Sequence, residues 1–275
     1  MTHIDPLEDH DKGLSHDLPV LLNRRRALTV LGSAGLAVVL AGCGGSASNG
    51  SSGAPASATS PSATNSGARD TIPEETAGPY PGDGSNDVNV LTESGIVRSD
   101  ITSSFGEATG LATGVPLTIQ LTVLNTSNDS VGYEGAAVYL WHCNLGGQYS
   151  LYTDPITEEN YLRGVQAADG DGLVTFTSIY PGAYSGRWPH IHFEVYPSLD
   201  AGTTASGKLR TSQIALPEAA CKIVYATDGY AASAQNMEQT SLDGDNVFSD
   251  GYSLQLATVT GTVEDGLTAA LRVPV

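Results

Sequence analysis

Hydrophobic and polar residues alternate with a period of two through most of the chain after residue 71. This alternation is typical of strands with one buried face, and clusters of Gly, Asp, Asn and Pro separate the segments that show it. Helical periodicity of useful length is absent from this region, where only residues 216–220 indicate a turn of helix. Short strands at such spacing predict an all-β domain, an antiparallel β-sandwich. The predicted strands cover residues 116–124, 136–143, 172–180, 190–196, 222–227, 252–263 and 269–275.

The N-terminal region shows a different pattern, which is typical of export. Three arginines, residues 24–26, precede an apolar run over residues 27–40 that is short for a membrane span and resembles a signal peptide. The adjacent arginines favour the twin-arginine route. Residues 40–43, LAGC, resemble a bacterial lipobox, with cleavage before Cys43 and lipid on its sulfur. An ordinary signal peptide with a chance cysteine is the alternative.

We therefore expect residues 1–42 to be a twin-arginine lipoprotein-type signal peptide. Residues 43–70 are mostly Gly, Ser, Ala, Thr, Pro and Asn, and they cannot bury enough apolar surface to fold, so they predict a flexible tether. Residues 71–275 form the predicted domain. The protein is then exported and either associates with the outer face of the cell membrane through lipidated Cys43 or is secreted.

Net charge limits the binding partners that we expect, and the aromatic content indicates which side chains could bind a metal. The 275-residue chain carries 12 Lys and Arg against 30 Asp and Glu, a net charge of -18. Nucleic acid is excluded as an expected partner, because phosphate binding needs clustered cations. Tyrosines outnumber phenylalanines 12 to 4, so many aromatic positions carry a hydroxyl that can bind a metal.

Two cysteines, Cys143 and Cys221, lie within the predicted domain. In an oxidising compartment two thiols favour a disulfide. Two buried free cysteines are the alternative, and the sequence leaves both open. A bridge between them would brace the turn that ends at Tyr149.

Two histidines, His190 and His192, lie two positions apart in a predicted apolar strand. Alternation places both imidazoles on one face, with Ile191 and Phe193 on the other. Two neighbouring imidazoles form half of a metal site, whereas a pair of polar residues on a wet sheet face is the alternative. A third histidine, His142, follows a tryptophan in another strand, and we interpret it as structural.

The surroundings of the histidine pair favour a metal. Residues 180–189, YPGAYSGRWP, form a Pro/Gly turn that carries Tyr184 and Arg187 into the histidine strand, and residues 140–149, LWHCNLGGQY, run into a Gly-Gly turn that ends at Tyr149. Two phenolates with two imidazoles suit ferric iron better than zinc. Ordinary turn tyrosines, and an arginine paired with a surface carboxylate, are the alternatives. Glu194 shares the histidine face, but the tyrosines argue against a zinc or cupin site.

Three blocks of this sequence resemble the intradiol ring-cleavage dioxygenases, the catechol and protocatechuate group, and particularly their exported actinobacterial members. The blocks are residues 76–80 (TAGPY), residues 141–149, and residues 181–193 (PGAYSGRWPHIHF). The last is the most specific, because it combines a tyrosine, an arginine and two histidines at fixed spacing. The resemblance extends from residue 71 to the C-terminus and implies a transthyretin-like β-sandwich.

The resemblance also implies a role for each site residue. One Fe(III) per domain is expected, bound by Tyr149, Tyr184, His190 and His192. Arg187 is expected beside the substrate ring, Gln213 behind the metal ligands, and Tyr80 at the edge of the substrate cleft. The connection between Tyr184 and His190 is shorter than in cytosolic members, and the N-terminal helical region that some of them use for dimerisation is missing. We therefore expect a more open cleft.

The implied activity is Fe(III)-dependent cleavage of a catecholic ring by O2 to a cis,cis-muconate-type diacid. In that reaction Tyr184 is expected to accept a substrate proton and Arg187 to stabilise developing negative charge. Candidate substrates are catechol, protocatechuate, hydroxyquinol or larger plant-derived catechols, and the oligomeric state is open. Two other functions compete: a non-catalytic cell-surface module that binds sugars or proteins, and a metal hydrolase, because fold does not determine function.

Overall fold

A computed structural model describes residues 70–275 of the protein. The predicted signal peptide, Cys43 and all but the last residue of the predicted tether lie outside the described residues. Within residues 70–275 there is no helix with the length and apolar character needed to cross a membrane.

In the described part of the chain, nine strands form two sheets. They are β1 (Pro116–Asn125), β2 (Val131–Gly132), β3 (Ala137–Trp141), β4 (Arg163–Ala167), β5 (Leu173–Ile179), β6 (His190–Tyr196), β7 (Arg210–Ala215), β8 (Thr258–Thr262) and β9 (Gly266–Pro274). The first sheet has the order β2-β1-β9-β8, with β5 also paired to β1, and the second has the order β4-β3-β6-β7. Two short helices, α1 (Glu218–Tyr225) and α2 (Ala231–Met237), lie between β7 and β8. Single turns of 3-10 helix occur at Val90–Thr92, Asp200–Thr203, Ala205–Gly207 and Leu242–Gly244.

The two sheets share one hydrophobic core. Alternate residues of β1, including Ile119 and Leu121, are fully buried and belong to the same apolar cluster as Ile191 and Phe193 of β6. Removing each such side chain from water contributes about 1.5–3 kcal/mol before entropy is counted. The two-residue alternation of the sequence therefore defines the inner faces of both sheets.

Residues 72–97 cover the outer face of the second sheet. The Glu75 amide donates to the Thr211 carbonyl of β7 (2.8 Å), and the Tyr139 hydroxyl of β3 donates to the Pro81 carbonyl (2.6 Å). As a result, all seven residues of β6 are buried, on both faces of the sheet. The outer face of β6 is thus buried instead of exposed to solvent, and it carries the two histidines.

The predicted all-β fold is confirmed in part, because the described residues are mostly β, with two sheets and few helices. The prediction of purely antiparallel pairing was wrong, because β1 and β9 pair in parallel. Residues 222–227, predicted as a strand, begin inside α1, and only Thr258–Thr262 of the predicted strand 252–263 is extended. Short apolar runs do not distinguish helix from strand. The tertiary core selects the helix here, since Cys221, Val224 and Tyr225 all point into it.

The two cysteines do not form the disulfide that the sequence left open. Both are free and buried. The Cys143 thiol donates to the Gly182 carbonyl, 3.4 Å away, whereas the Cys221 sulfur lies 3.2 Å from the Tyr180 hydroxyl. The turn before Tyr149 is therefore held by hydrogen bonds and packing.

Candidate metal centre and active site

The strand β6 places His190 and His192 side by side on its outer face. Each is 3% exposed, and their Nε2 atoms lie 3.1 Å apart. His190 Nδ1 contacts the Trp188 carbonyl, which can only accept a hydrogen bond, so Nδ1 carries the proton and Nε2 a lone pair. The ring of Trp141, from the neighbouring strand β3, stacks on His192 with 4.9 Å between centroids. These contacts orient both imidazoles toward one point.

The turn that follows β5 brings Tyr184 to the histidines. Its hydroxyl lies 3.1 Å from His190 Nε2. The turn is held from α2, because the Ala183 amide donates to Ser233 Oγ (2.9 Å) and Asn236 Nδ2 donates to the Ala183 carbonyl (2.9 Å). The short helix that the sequence analysis missed therefore positions a predicted metal ligand.

Tyr149 approaches from the other turn. Its ring centroid lies 5.9 Å from that of Tyr184 and 6.2 Å from that of His192. Asn144 shapes this turn, since its side-chain oxygen accepts from the amides of Gly146 (2.9 Å) and Gln148 (3.0 Å). The Tyr149 hydroxyl is buried and has no hydrogen-bond partner among residues 70–275. The structure thus brings all four predicted ligands together, although their role as ligands stays a prediction.

Burial sets the charge state of these groups. It lowers the pKa of His190 and His192 well below the usual value of histidine, and the positive charge of Arg187 acts in the same direction. Both imidazoles are therefore neutral near pH 7, the form that binds metals. Burial also raises the pKa of Tyr149 and Tyr184, so each is a neutral phenol until a cation favours its phenolate.

The donor set fits a metal ion. Two donors of one ion, each about 2 Å from it and about a right angle apart, lie about 3 Å from each other. The His190–His192 and Tyr184–His190 separations are both 3.1 Å. In the described part of the chain no group of three His, Cys, Asp or Glu residues could hold a metal, so this site depends on its tyrosines. Two imidazoles with two phenols favour a trivalent cation such as Fe(III) over zinc.

Arg187 and Gln213 form a fixed pair beside the ligands. Arg187 Nη2 donates to Gln213 Oε1 (2.7 Å), and Gln213 Nε2 donates to the Thr76 carbonyl (2.9 Å). The register of β6 and β7 places Gln213 directly opposite His192. The structure therefore places both residues close to the histidines, and their predicted roles beside the substrate ring and behind the metal ligands stay predictions.

Sequence reasoning missed Asp245, the carboxylate that holds Arg187. Asp245 is fully buried, and it accepts from Arg187 Nε (3.0 Å), the Trp188 amide (2.6 Å) and the Val247 amide (2.8 Å). Its loop lies 49 residues after the end of β6 and is one of many acidic stretches. No spacing in the sequence connects it to the site.

The segment 76–80 closes the site from above. Gly78 has a φ of +72°, and a Cβ atom there would lie 3.3 Å from His192 Cε1. Tyr80 lies beside Tyr149, with 5.2 Å between ring centroids, and contacts Tyr152 at 4.9 Å. Tyr80 therefore borders the ligands, and Tyr152, which the sequence analysis did not select, extends this aromatic wall.

His142 and Glu194 both lie outside the group of converging donors. His142 Nε2 is bonded to Ser178 Oγ (2.7 Å), and burial lowers its pKa to about 4. Glu194 accepts from the Tyr196 hydroxyl (2.6 Å) and from Lys208 Nζ (2.8 Å). These partners agree with a structural role for both residues.

Comparisons with known proteins find similarity to dioxygenases, in sequence and in fold. Residues 96–192 match the family model described as Dioxygenase, a segment that contains all four predicted ligands and Arg187. An intradiol ring-cleavage dioxygenase from Tetranychus urticae has a similar structure, with a TM-score of 0.59 and 22% identity over 75% of this chain and 94% of that one. A second dioxygenase crystal structure has a TM-score of 0.57 and 22% identity, covering 74% and 93%.

The dioxygenase domain of a carbohydrate-binding fusion protein from Streptomyces sp. SirexAA-E has a TM-score of 0.48 and 21% identity, covering 75% and 98%. Among curated proteins, none matches the chain. At these identities the structural likeness establishes the fold, and the family match relates residues 96–192 to dioxygenases in sequence. The chain is therefore similar to dioxygenases in sequence over residues 96–192, and it shares the fold of solved intradiol ring-cleavage dioxygenase structures.

Proposed function

We propose that the protein is an Fe(III)-dependent dioxygenase that cleaves a catecholic ring with O2, between the two hydroxylated carbons, to give a cis,cis-muconate-type diacid. The observation that carries this proposal is the convergence of two neutral imidazoles and two phenols in one buried space. We propose that the two sheets form a β-sandwich of the intradiol type. We also propose that the iron is bound by Tyr149, Tyr184, His190 and His192.

The residues of the site have different roles in the proposed reaction. Tyr149, Tyr184, His190 and His192 would hold ferric iron, which would supply Lewis-acid chemistry toward a bound catecholate. Tyr184, as a phenolate, accepts a proton at its Oη from a hydroxyl of the incoming diol. The adjacent Arg187 opposes the effect of burial on the pKa of Tyr184, so its positive charge favours anions at this position.

Asp245 and Gln213 hold Arg187 in a single orientation. They occupy Nε and Nη2, and Nη1 has no hydrogen-bond partner among the described residues. Nη1 is therefore the nitrogen that can contact the substrate or stabilise negative charge on it. The segment with Gly78 and Tyr80 lies over the ligands and excludes water from that side.

The test is iron content, visible absorption and oxygen uptake of the purified full chain. We expect bound iron, a wine-red tyrosinate band and O2 consumption with at least one diol of a panel that includes catechol, protocatechuate and hydroxyquinol. Tyr149→Phe and Tyr184→Phe should weaken or abolish the band. Tyr252→Phe is the matched control, because Tyr252 is a partly buried tyrosine that packs against the core shared by the two sheets, and it should leave the band unchanged.

Two results would contradict the proposal. A colourless protein that cannot be reconstituted with iron would favour the non-catalytic binding module. Hydrolytic activity with zinc, without consumption of O2, would favour the metal hydrolase.

We further propose that the enzyme is exported and anchored outside the cell by a lipid on Cys43. The proposal rests on the sequence of residues 24–43 alone. Cys43→Ser should move the protein from the membrane fraction to the soluble or secreted fraction. Replacement of Arg24 and Arg25 by lysine should retain it inside the cell. An unchanged distribution of the cysteine variant would exclude the lipid anchor.

A further inference from the structure

Arg163 is a buried cation without a carboxylate partner in the described structure. Its side chain is 1% exposed, and none of the ion pairs among residues 70–275 includes it. Instead, all five of its N–H groups donate to uncharged oxygen atoms. The acceptors are Ser150 Oγ (3.1 Å), the Ser150 carbonyl (2.9 Å), the Tyr80 carbonyl (3.0 Å), the Pro81 carbonyl (2.9 Å) and Tyr139 Oη (3.0 Å).

Four of these five acceptors belong to the two segments that border the candidate iron site from this side, and the fifth, Tyr139 Oη, belongs to β3. Ser150 directly follows the predicted ligand Tyr149, and the Tyr80 carbonyl belongs to the segment that covers the ligands. The two segments touch through the rings of Tyr80 and Tyr149, 5.2 Å apart. Arg163 lies beneath this contact and is bonded to the backbone on both sides of it.

Only a guanidinium can make this set of contacts. A lysine has three donors on one nitrogen, whereas Arg163 uses five N–H donors that point in different directions within one rigid plane. The plane also lies against the ring of Tyr152, 5.4 Å from its centroid. A buried charge costs solvation energy, so five good hydrogen bonds are needed to keep it in place.

We propose that Arg163 is a positioning residue of the site, which ties the Tyr80 segment to the Tyr149 turn and so sets the distance between the cleft wall and a metal ligand. It does not touch the substrate. The structural part of this inference is independent of the reaction, whereas its catalytic consequence rests on the proposed function.

The first test uses the metal-free full chain and amide hydrogen exchange. The Gly82 amide donates to Tyr152 Oη (2.9 Å) and the Thr153 amide to the Tyr149 carbonyl (3.0 Å), so these amides report on the two segments. In Arg163→Lys we expect exchange in residues 79–84 and 149–153 to rise about tenfold or more, since several buried hydrogen bonds are lost together.

Arg98→Lys is the matched control. Arg98 is also bonded to carbonyls, including that of Arg163 itself (2.7 Å), and it stacks on Phe105, but it contacts neither Tyr80 nor Ser150. This variant should leave exchange in residues 79–84 and 149–153 unchanged. Equal increases in both variants would show a general weakening of β4 and would overturn the proposal, as would unchanged exchange in Arg163→Lys.

The second test uses the iron-loaded protein. In Arg163→Lys we expect a shifted tyrosinate band and a KM for the diol that rises more than kcat falls, because the wall moves relative to the ligand. The control variant should change neither. If the wild-type protein binds no iron, the proposed function fails, and the exchange experiment still decides whether Arg163 joins the two segments.

A milder variant covers the case in which Arg163→Lys does not fold. Ser150→Ala removes one acceptor of Arg163 and keeps its charge and backbone contacts. Raised exchange in residues 149–153 at an unchanged Tm supports the proposal. Unchanged exchange in that segment overturns it.

Discussion

The two faces of strand β6 are equally buried but are stabilised in different ways. On the inner face Ile191 and Phe193 pack in the core shared by the sheets, where any apolar group of the right shape contributes. On the outer face His190, His192 and Glu194 each lie against specific polar or aromatic groups. Burial of a polar group is costly unless its partner is in place, so the outer face depends on the positions of individual atoms. Apolar packing on the inner face therefore supports the fold, whereas individual polar and aromatic contacts on the outer face support the site.

The largest expected effect on stability comes from the inner face. Phe193→Ala should lower the free energy of unfolding by about 3–5 kcal/mol, because it leaves a cavity between the two sheets. Urea denaturation of the metal-free protein measures this change. A loss below about 1 kcal/mol would show that the inner face is not the main source of stability.

Burial of the ionisable side chain of His142 should make the free energy of unfolding depend on pH. Its folded-state pKa is lowered to about 4 by burial, so between pH 6.5 and 4 the unfolded state binds the proton and the folded state does not. Stability should therefore fall with decreasing pH in this window by up to about 1.4 kcal/mol per pH unit from this residue.

The comparison variant is His142→Gln, which cannot titrate. The difference in unfolding free energy between wild type and variant should shrink as the pH falls from 6.5 toward 4. Parallel pH profiles would mean that His142 contributes nothing to acid sensitivity.

On the outer face, Asp245→Asn should cost about 2 kcal/mol, because it removes the charge that pairs with Arg187 and mismatches one of several amide donors. The same change should release Arg187 and raise the KM for the diol. Thermal unfolding and steady-state kinetics measure the two effects. Asp243→Asn, in the exposed 3-10 turn nearby, is the control. Unchanged kinetics in Asp245→Asn would show that Arg187 needs no carboxylate to stay in place.

The smallest expected effect concerns Gly78. Gly78→Ala should lower stability by about 1 kcal/mol, since φ is +72° and the added methyl meets His192 Cε1. It should also disturb the tyrosinate band of the iron-loaded protein. Gly106→Ala has a similar φ of +71° with open space around it, and it should cost stability without changing the band. A band change in both variants would mean that contact with His192 is not the cause.

Local features of the site could be read from the sequence. The spacing of His190 and His192 places them on one strand face, and Tyr184 and Arg187 lie within the same short stretch of chain. Their proximity follows from a turn and a strand. Tyr149 was reached through a motif that the sequence shares with a family, because no local rule connects its turn to β6.

Contacts between distant segments could not be read in this way. Asp245 reaches Arg187 over 58 residues and Arg163 reaches Tyr80 over 83 residues, and neither pair has a spacing that signals contact. The prediction of a strand at residues 222–227 was wrong for the same reason. Val224 and Tyr225 pack into the core from a helix, and this packing depends on segments that are distant in the sequence.

By itself, the sequence determined the elements whose physics is local: the alternating strands, the glycine-rich turns, and a histidine pair with a tyrosine and an arginine close before it. Tertiary structure decided the parallel pairing of β1 with β9, the covering of the outer face of β6, and the buried groups that hold Arg187 and the Tyr149 turn. The physical reason is that strand periodicity depends on neighbouring residues, whereas the partner of a buried polar group is chosen by whichever segments the fold brings within hydrogen-bond distance.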